Sequence, residues 1–314
     1  MTRDPHIIAE EVLRVRIGQL LVNEILKRRE LKVPVHLALG HEAIAVAVSE
    51  VMGPGDRLCL THRNIHYNLA RAQSFAPEVA ELRLSPEGIG GGRLGSMNMA
   101  NPGRGILYTS SILANDLCVA TGVALGGRLE GGPAGATFVV TGDGAMEEGA
   151  FYETLELAKS LDLPVVVVVE NNGWSLASRI HERRCPIAVE GLAAAFAVPF
   201  ASLRGNDAIA YVHTLERLRA RAIGERTPVI VEAHVSTLGD WRGEPTPAEP
   251  EGRVINYHHG AAATVTLGDV MLEGWPVIRE DATDPVHVLT TRVDEKTLRA
   301  AAWRLLSAMT GEIA

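Results

Sequence analysis

Three features of the sequence predict an α/β fold with a mostly parallel central sheet and helices on both faces. Residues 136–140 and 165–169 form apolar, β-branched runs, the second of them valine throughout; strands buried on both faces of a parallel sheet read this way. Residues 147–161 between them follow a helical pattern, so strand, helix and strand come in the order of a parallel crossover. The third feature is composition: 4% aromatic residues against 31 glycines suits helices packed closely on strands.

From the N-terminus, Leu13, Ile17, Leu20, Leu21 and Ile25 recur at helical spacing between Pro5 and Glu30, with Arg14, Arg16 and the Lys27-Arg28-Arg29 run assigned to the polar side. A second helix opens after Gly40 in HEAIAVAVSEVM and is stopped by Gly53-Pro54-Gly55-Asp56. Residues 57–60 read as a short strand leading into the loop Thr61-His62-Arg63-Asn64. Residues 85–105, dense in Gly and Pro, read as a long irregular loop, and such loops inside compact domains are usually functional or disordered. Further helices are expected over 113–125, 208–223 and 295–309, and a strand over 228–233. No repeat or linker divides the chain. It is read as one domain over 1–314, with an N-terminal helical segment and a divergent C-terminal region from about 243, where residues 243–290 carry mixed signals.

With 46% hydrophobic and 22% charged residues, the chain has the composition of a globular protein with a sizeable core. Its formal net charge of -8 repels phosphate backbones and anionic membranes, so neither nucleic acid nor membrane is expected as a partner. Cys59, Cys118 and Cys185 are widely spaced, with no CxxC, and make neither a disulfide framework nor a zinc site. The start, MTRDPHIIAEEVLRVR, carries acidic residues and no apolar signal stretch. No run reaches the roughly 18 apolar residues of a membrane span, and a cytoplasmic location is expected.

The chemistry concentrates at two strand ends. Gly142-Asp143-Gly144 closes one strand and Asn171-Asn172-Gly173 closes the next, one crossover later, so Asp143 and Asn172 can project from the carboxyl edge of adjacent parallel strands. A cation bound to a diphosphate suits that edge. Magnesium takes six oxygen ligands, and a carboxylate, an amide oxygen, a backbone carbonyl and two phosphate oxygens nearly complete the shell. The glycines allow close backbone approach, and the following helix N-terminus adds amide donors.

Together with GHEAIAVA (40–47), THRNIHYNLARA (61–72) and GSMNMANP (95–102), the segment GDGAMEEGAFYETLELAKSLDLPVVVVVENNGWS (142–175) resembles the thiamine diphosphate-dependent enzymes. More narrowly, it resembles the alpha subunit of the first component of 2-oxo acid and acetoin dehydrogenase complexes, over roughly residues 33–240. The resemblance implies a thiamine diphosphate-binding fold. It also implies that Asp143 and Asn172 ligate Mg2+ through side chains and Trp174 through its carbonyl, with Gly144 and Ala145 contacting the diphosphate. Arg63 matches an arginine that pairs with that diphosphate, a role suited to its charged fork, and His62 matches the acetoin-type version beside it. Ser111 and Leu113 align with the loop touching the aminopyrimidine; read without the resemblance, they are equally a helix cap and a core residue. His62 and His66 are the candidate catalytic residues.

The sequence also departs from the family pattern. Asn98 stands where the family has the histidine of GSMH, Ile65 stands where it has a histidine two positions after the arginine, and Thr237, Asp240 and Trp241 replace a late Arg, Gly and His. Those histidines serve substrate handling, and His234, His258 and His259 are the nearby candidates to take their place. Glu42 in GHEA is read as structural. The glutamate that activates the cofactor belongs in this family to a separate beta subunit. The implied enzyme is an α2β2 heterotetramer that cleaves a 2-oxo acid or related ketone and passes the acyl unit to a lipoyl or other acceptor. The alternatives are a non-oxidative carboligase or acyltransferase subunit in a biosynthetic pathway, and a catalytically silent cofactor-binding subunit.

Overall fold

The computed structural model describes residues 4–131, 135–242, 245–247, 250–271 and 275–313, so the boundary expected near 243 lies outside the described residues. In chain order the elements begin with α1 (Pro5–Lys27), α2 (Glu42–Val51), β1 (Arg57–Thr61), α3 (Ile65–Arg71), α4 (Ala76–Leu82), β2 (Ile106–Ser110), α5 (Asn115–Leu129) and β3 (Thr137–Gly142). They continue with α6 (Gly149–Ser160), β4 (Val165–Asn171), β5 (Trp174–Ser175), β6 (Ser178–Arg179), α7 (Ile180–Arg183), α8 (Val189–Ala195), β7 (Phe200–Leu203) and α9 (Ala208–Glu225). The C-terminal part adds β8 (Val229–His234), β9 (Asp240–Arg242), β10 (Val254–Asn256), α10 (Leu267–Met271), α11 (Pro285–Leu289) and α12 (Glu295–Ile313).

Six strands form a sheet in the order β2-β1-β3-β4-β8-β7, and each neighbouring pair is parallel. Alternate valines of β4 face opposite sides: Val166 and Val168 pack into a core built with α1, α2, α9 and α12, while Val165, Val167 and Val169 pack into a second core with α5, α6 and α8. Both cores are dry, which is why the strand reads as an uninterrupted apolar run. The chain order reverses between β1 and β3, the switch point where α/β sheets open a crevice at their carboxyl edge.

Two polar centres brace this frame. Arg16, expected on the polar side of α1, is instead fully buried. Its guanidinium meets Glu42 of α2 at 2.7 Å and Asp284 before α11 at 2.9 Å, which ties the C-terminal segment to the N-terminal helix. Glu42 also accepts from Gly40 N–H at 2.8 Å and Gln19 at 3.0 Å, a structural role as read from the sequence. The Gly-rich loop of 85–105 is organised by one carboxylate, because Glu81 accepts backbone N–H bonds from Gly90, Gly92, Leu94 and Gly95 at 2.7–3.1 Å.

Candidate active site at the carboxyl edge of the sheet

The loops leaving β1, β2, β3 and β4 border a cleft at the switch point. Its wall contains His62, Arg63, Leu113, Asp143, Gly144, Ala145, Asn172 and Trp174. Four separate segments of sequence therefore converge on one pocket.

Asp143, the first residue after β3, is buried, and its Oδ2 accepts from Arg183 Nη2 at 2.9 Å. Burial pushes its carboxyl up, against the pull of Arg183 and Arg184. Arg183 also meets Glu147, and Arg184 reaches Glu147 at 3.2 Å, so the short helix α7 is strapped over the Gly-Asp-Gly turn. A side chain at Gly144 would approach within 2.9 Å of Ser175 Oγ, whereas one at Gly142 would meet open space on the cleft side.

Asn172 is oriented by a chain of hydrogen bonds. Its Nδ2 donates to Thr237 Oγ1 at 3.1 Å, Thr237 Oγ1 meets His41 Nε2 at 2.9 Å, and His41 Nδ1 meets Glu170 Oε2 at 2.8 Å. A carboxylate only accepts, so His41 donates from Nδ1; burial keeps this imidazole neutral, leaving Nε2 to accept the Thr237 hydroxyl proton. That hydroxyl then accepts from Asn172. The amide nitrogen is committed, and Oδ1, which also accepts from Trp174 N–H at 3.0 Å, keeps a lone pair for a ligand.

Glu170 is the hub of this network. Its Oε1 accepts from Tyr67 Oη at 2.7 Å and meets His66 Nε2 at 3.0 Å. Burial acts to raise this carboxyl, but the approach of His66 and His41, which also hydrogen-bond to it, outweighs burial and holds the group well below the ordinary carboxylate range. The structure places His66, read from the sequence as a candidate catalytic residue, against Glu170. His66 lies in the first turn of α3 on the side facing the core, is fully buried and is not part of the cleft wall.

His62 does face the cleft, its imidazole pushed down to about 4 by burial and by Arg63. The Arg63 guanidinium donates to Leu37 O and, at 3.1 Å, to His258 O, and lies 5.9 Å from the Tyr257 ring centroid. Leu113 lines the cleft but is half exposed, so it is not a core residue; Ser111 is exposed, is not part of the wall, and is not the cap of α5, where Ala114 stands. Sequence reasoning missed Arg183 and His41. The two arginines of HERRC were the available signal for the first, and the GHE motif for the second. Of the candidate replacement histidines, His258 lines the cleft, His259 lies beside Trp241, and His234 pairs with Glu232.

Residues 21–236 match the family described as dehydrogenase E1 component. The acetoin:2,6-dichlorophenolindophenol oxidoreductase alpha subunit of Bacillus subtilis is 30% identical over 71% of this chain and 67% of its own length. The pyruvate dehydrogenase E1 alpha subunit of Porphyra purpurea is 30% identical over 63% of this chain and 60% of its own. In three dimensions the whole chain superposes on 46% of a transketolase from Leishmania mexicana with a TM-score of 0.62 and 15% identity, a likeness of fold. The chain spans about half of that transketolase. On the sequence match, and on a Gly-Asp-Gly turn and an oriented Asn172 meeting at the switch point, this chain belongs to the dehydrogenase E1 component family.

Proposed function

We propose that this chain is the alpha-type subunit of a heteromeric enzyme that uses thiamine diphosphate and Mg2+ to cleave a 2-oxo acid or related ketone and transfer the acyl unit. The observation that carries this reading is the cation seated on Asp143. Arg183 places positive charge 2.9 Å from a buried carboxylate, at the edge where the Asn172 amide oxygen is also held. A divalent ion with hard oxygen preference fits that donor pair, and the Trp174 carbonyl with two phosphate oxygens would extend the shell. The open space at Gly142 and the backbone of Gly144 and Ala145 leave room for a diphosphate beside Arg63.

When bound, thiamine diphosphate supplies a nucleophilic carbon and an electron sink for breaking the bond beside a carbonyl. The residues of this chain bind its diphosphate end and hold Asn172 in register through Thr237, His41 and Glu170. None of the described acids in the cleft wall is free to act on the far end of the cofactor, since Glu170 is held by three partners and Asp143 by Arg183. Ile112, Leu113 and Leu176 at the rim are 68%, 50% and 57% exposed, an apolar lip suited to a covering subunit. The activating acid and the remaining wall come from a beta-type partner in an α2β2 assembly, and the whole chain serves as one diphosphate-binding domain. No described helix is long and apolar enough to cross a membrane.

Co-expression with a beta-type chain tests the reading. The pair converts a 2-oxo acid or ketone in the presence of Mg2+ and thiamine diphosphate, and the isolated chain does not. Equal turnover by the isolated chain refutes the two-subunit model. A requirement for a lipoyl acceptor identifies an oxidative complex, and product formation without one identifies a carboligase.

A further inference from the structure

We propose that Arg71 and Arg104, with Arg57 beside them, form a binding site for a small phosphoryl dianion at the amino edge of the sheet, the edge opposite the cleft. Residues far apart in sequence build it: Arg57 opens β1, Arg71 ends α3, Arg104 precedes β2 and Arg219 lies in α9. Thr61, at the other end of the five-residue strand β1, borders the cleft. At about 3.3 Å per residue the two ends of that strand are roughly 13 Å apart, so the two sites are separate.

The four arginines gather around the turn 53–56, and the acid they share is fully engaged. The buried Asp56 carboxylate accepts from Arg219 Nε at 2.5 Å and Nη2 at 3.1 Å, from Gly53 N–H at 2.7 Å and from Ala136 N–H at 2.8 Å. Four bonds fill the acceptor sites of a carboxylate. Arg219 is therefore paired, while the side chains of Arg57 and Arg71 donate to carbonyls: Arg57 Nη1 to Asp56 O at 3.1 Å, Arg71 Nη1 to Ser49 O at 3.3 Å and Arg71 Nε to Arg104 O. Among the described residues, Arg71 Nη2 and the Arg104 guanidinium make no hydrogen bond. Burial, and then repulsion by Arg104, hold the Arg71 guanidinium below its usual range, against the pull of Asp56. Two half-buried like charges are thus held within repelling range, and an anion shared between them relieves the repulsion. Gly105, at φ 79°, keeps the approach open, since a Cβ there would lie 3.5 Å from Arg71 Nη2.

The guanidinium fork matches phosphate oxygens two at a time, and a dianion balances two guanidiniums where a carboxylate balances one. The chain's formal net charge of -8 opposes a polyanion or an anionic membrane. A small solute remains, either inorganic phosphate or a phosphate monoester.

The test is calorimetric titration of inorganic phosphate into the full chain in EDTA, without thiamine diphosphate. One phosphate binds per chain, and Arg71→Ala and Arg104→Ala each weaken it about tenfold. Arg71→Lys, which keeps the charge and loses the fork, recovers only part of the loss. Arg104→Ala keeps the backbone carbonyl that Arg71 bonds, and an unchanged urea midpoint shows that this variant folds. Arg63→Ala leaves phosphate binding within twofold, and acetate binds at least tenfold more weakly than phosphate. Glycerol phosphate that binds as tightly as inorganic phosphate identifies an ester as the ligand, and weaker binding identifies the free ion; either result keeps the proposal. No measurable phosphate binding, equal binding of acetate, or unchanged binding in Arg104→Ala overturns it. A loss in Arg63→Ala as large as in Arg104→Ala also overturns it, in favour of phosphate seated in the cleft.

Discussion

At the scale of single residues, Arg183 acts as a counterion that a metal would replace. Arg183→Ala leaves the buried Asp143 carboxylate without its partner, so the metal-free chain loses stability. A partly buried charge-assisted bond of this kind contributes about 1.5–3 kcal/mol. Added Mg2+ should then raise the melting temperature of the variant more than that of the wild type; equal increments would show that the two cations do not compete for Asp143. A second residue sets a pH dependence. Asp116, at the start of α5, is buried with both carboxylate oxygens unpartnered, and burial pushes its carboxyl up to about 7. Between pH 3.8 and about 7 the folded chain keeps a proton that the unfolded chain releases, so the cost to folding grows as pH rises through this window and is complete above it. Asp116→Asn carries no such proton. Its stability relative to wild type should rise from pH 4 to pH 7 and then level off, by at most about 4 kcal/mol at ~1.4 kcal/mol per pKa unit. Urea unfolding at pH 4.5, 6 and 8 measures the difference, and a constant offset would mean that Asp116 is ionised in the folded chain.

At the scale of elements, the frame was legible where burial is uniform and illegible where it is not. The strands β3, β4 and β8 announce themselves because both faces are dry, and α1, α6 and α9 because one face is. The edge strands β2 and β7 have mixed sequences, ILYTS and FASL, and are only partly buried, and neither was predicted. Arg16 shows the converse error, for a charged residue inside a helical pattern was assigned to solvent when two distant carboxylates had been brought to it. Spacing along one helix carries no information about Asp284. The same reason hid the contact between His36 and His258, which are separated by more than two hundred residues of chain and meet only in the fold. Arg16→Ala should cost about 3–5 kcal/mol, the range for breaking a buried ion pair and leaving its partners uncompensated. Chemical denaturation measures this directly, and a loss below about 1 kcal/mol would mean that water reaches Glu42 and Asp284.

At the scale of the whole molecule, the fold gathers residues from distant segments at one cleft. The carboxyl edge of the sheet brings Asp143, Asn172 and Arg63 to one cleft, and the network from Thr237 to Glu170 keeps the Asn172 oxygen turned toward a ligand. The acids of the cleft are occupied and its lip is apolar, which supports the proposal that another chain completes the site. The motif residues Asp143 and Asn172 could be read from the sequence because the turns that present them are local. What holds them could not, since His41, Thr237 and Glu170 lie on separate segments. The central claim is that this edge binds a diphosphate cofactor through a metal on Asp143. Calorimetric titration of thiamine diphosphate into the full chain, with Mg2+ and again with EDTA, tests it most directly. The account predicts binding with Mg2+, none with EDTA, and none in the Asp143→Ala chain under either condition; binding of equal strength in EDTA or in that variant, or no binding by the wild type with Mg2+, would contradict it.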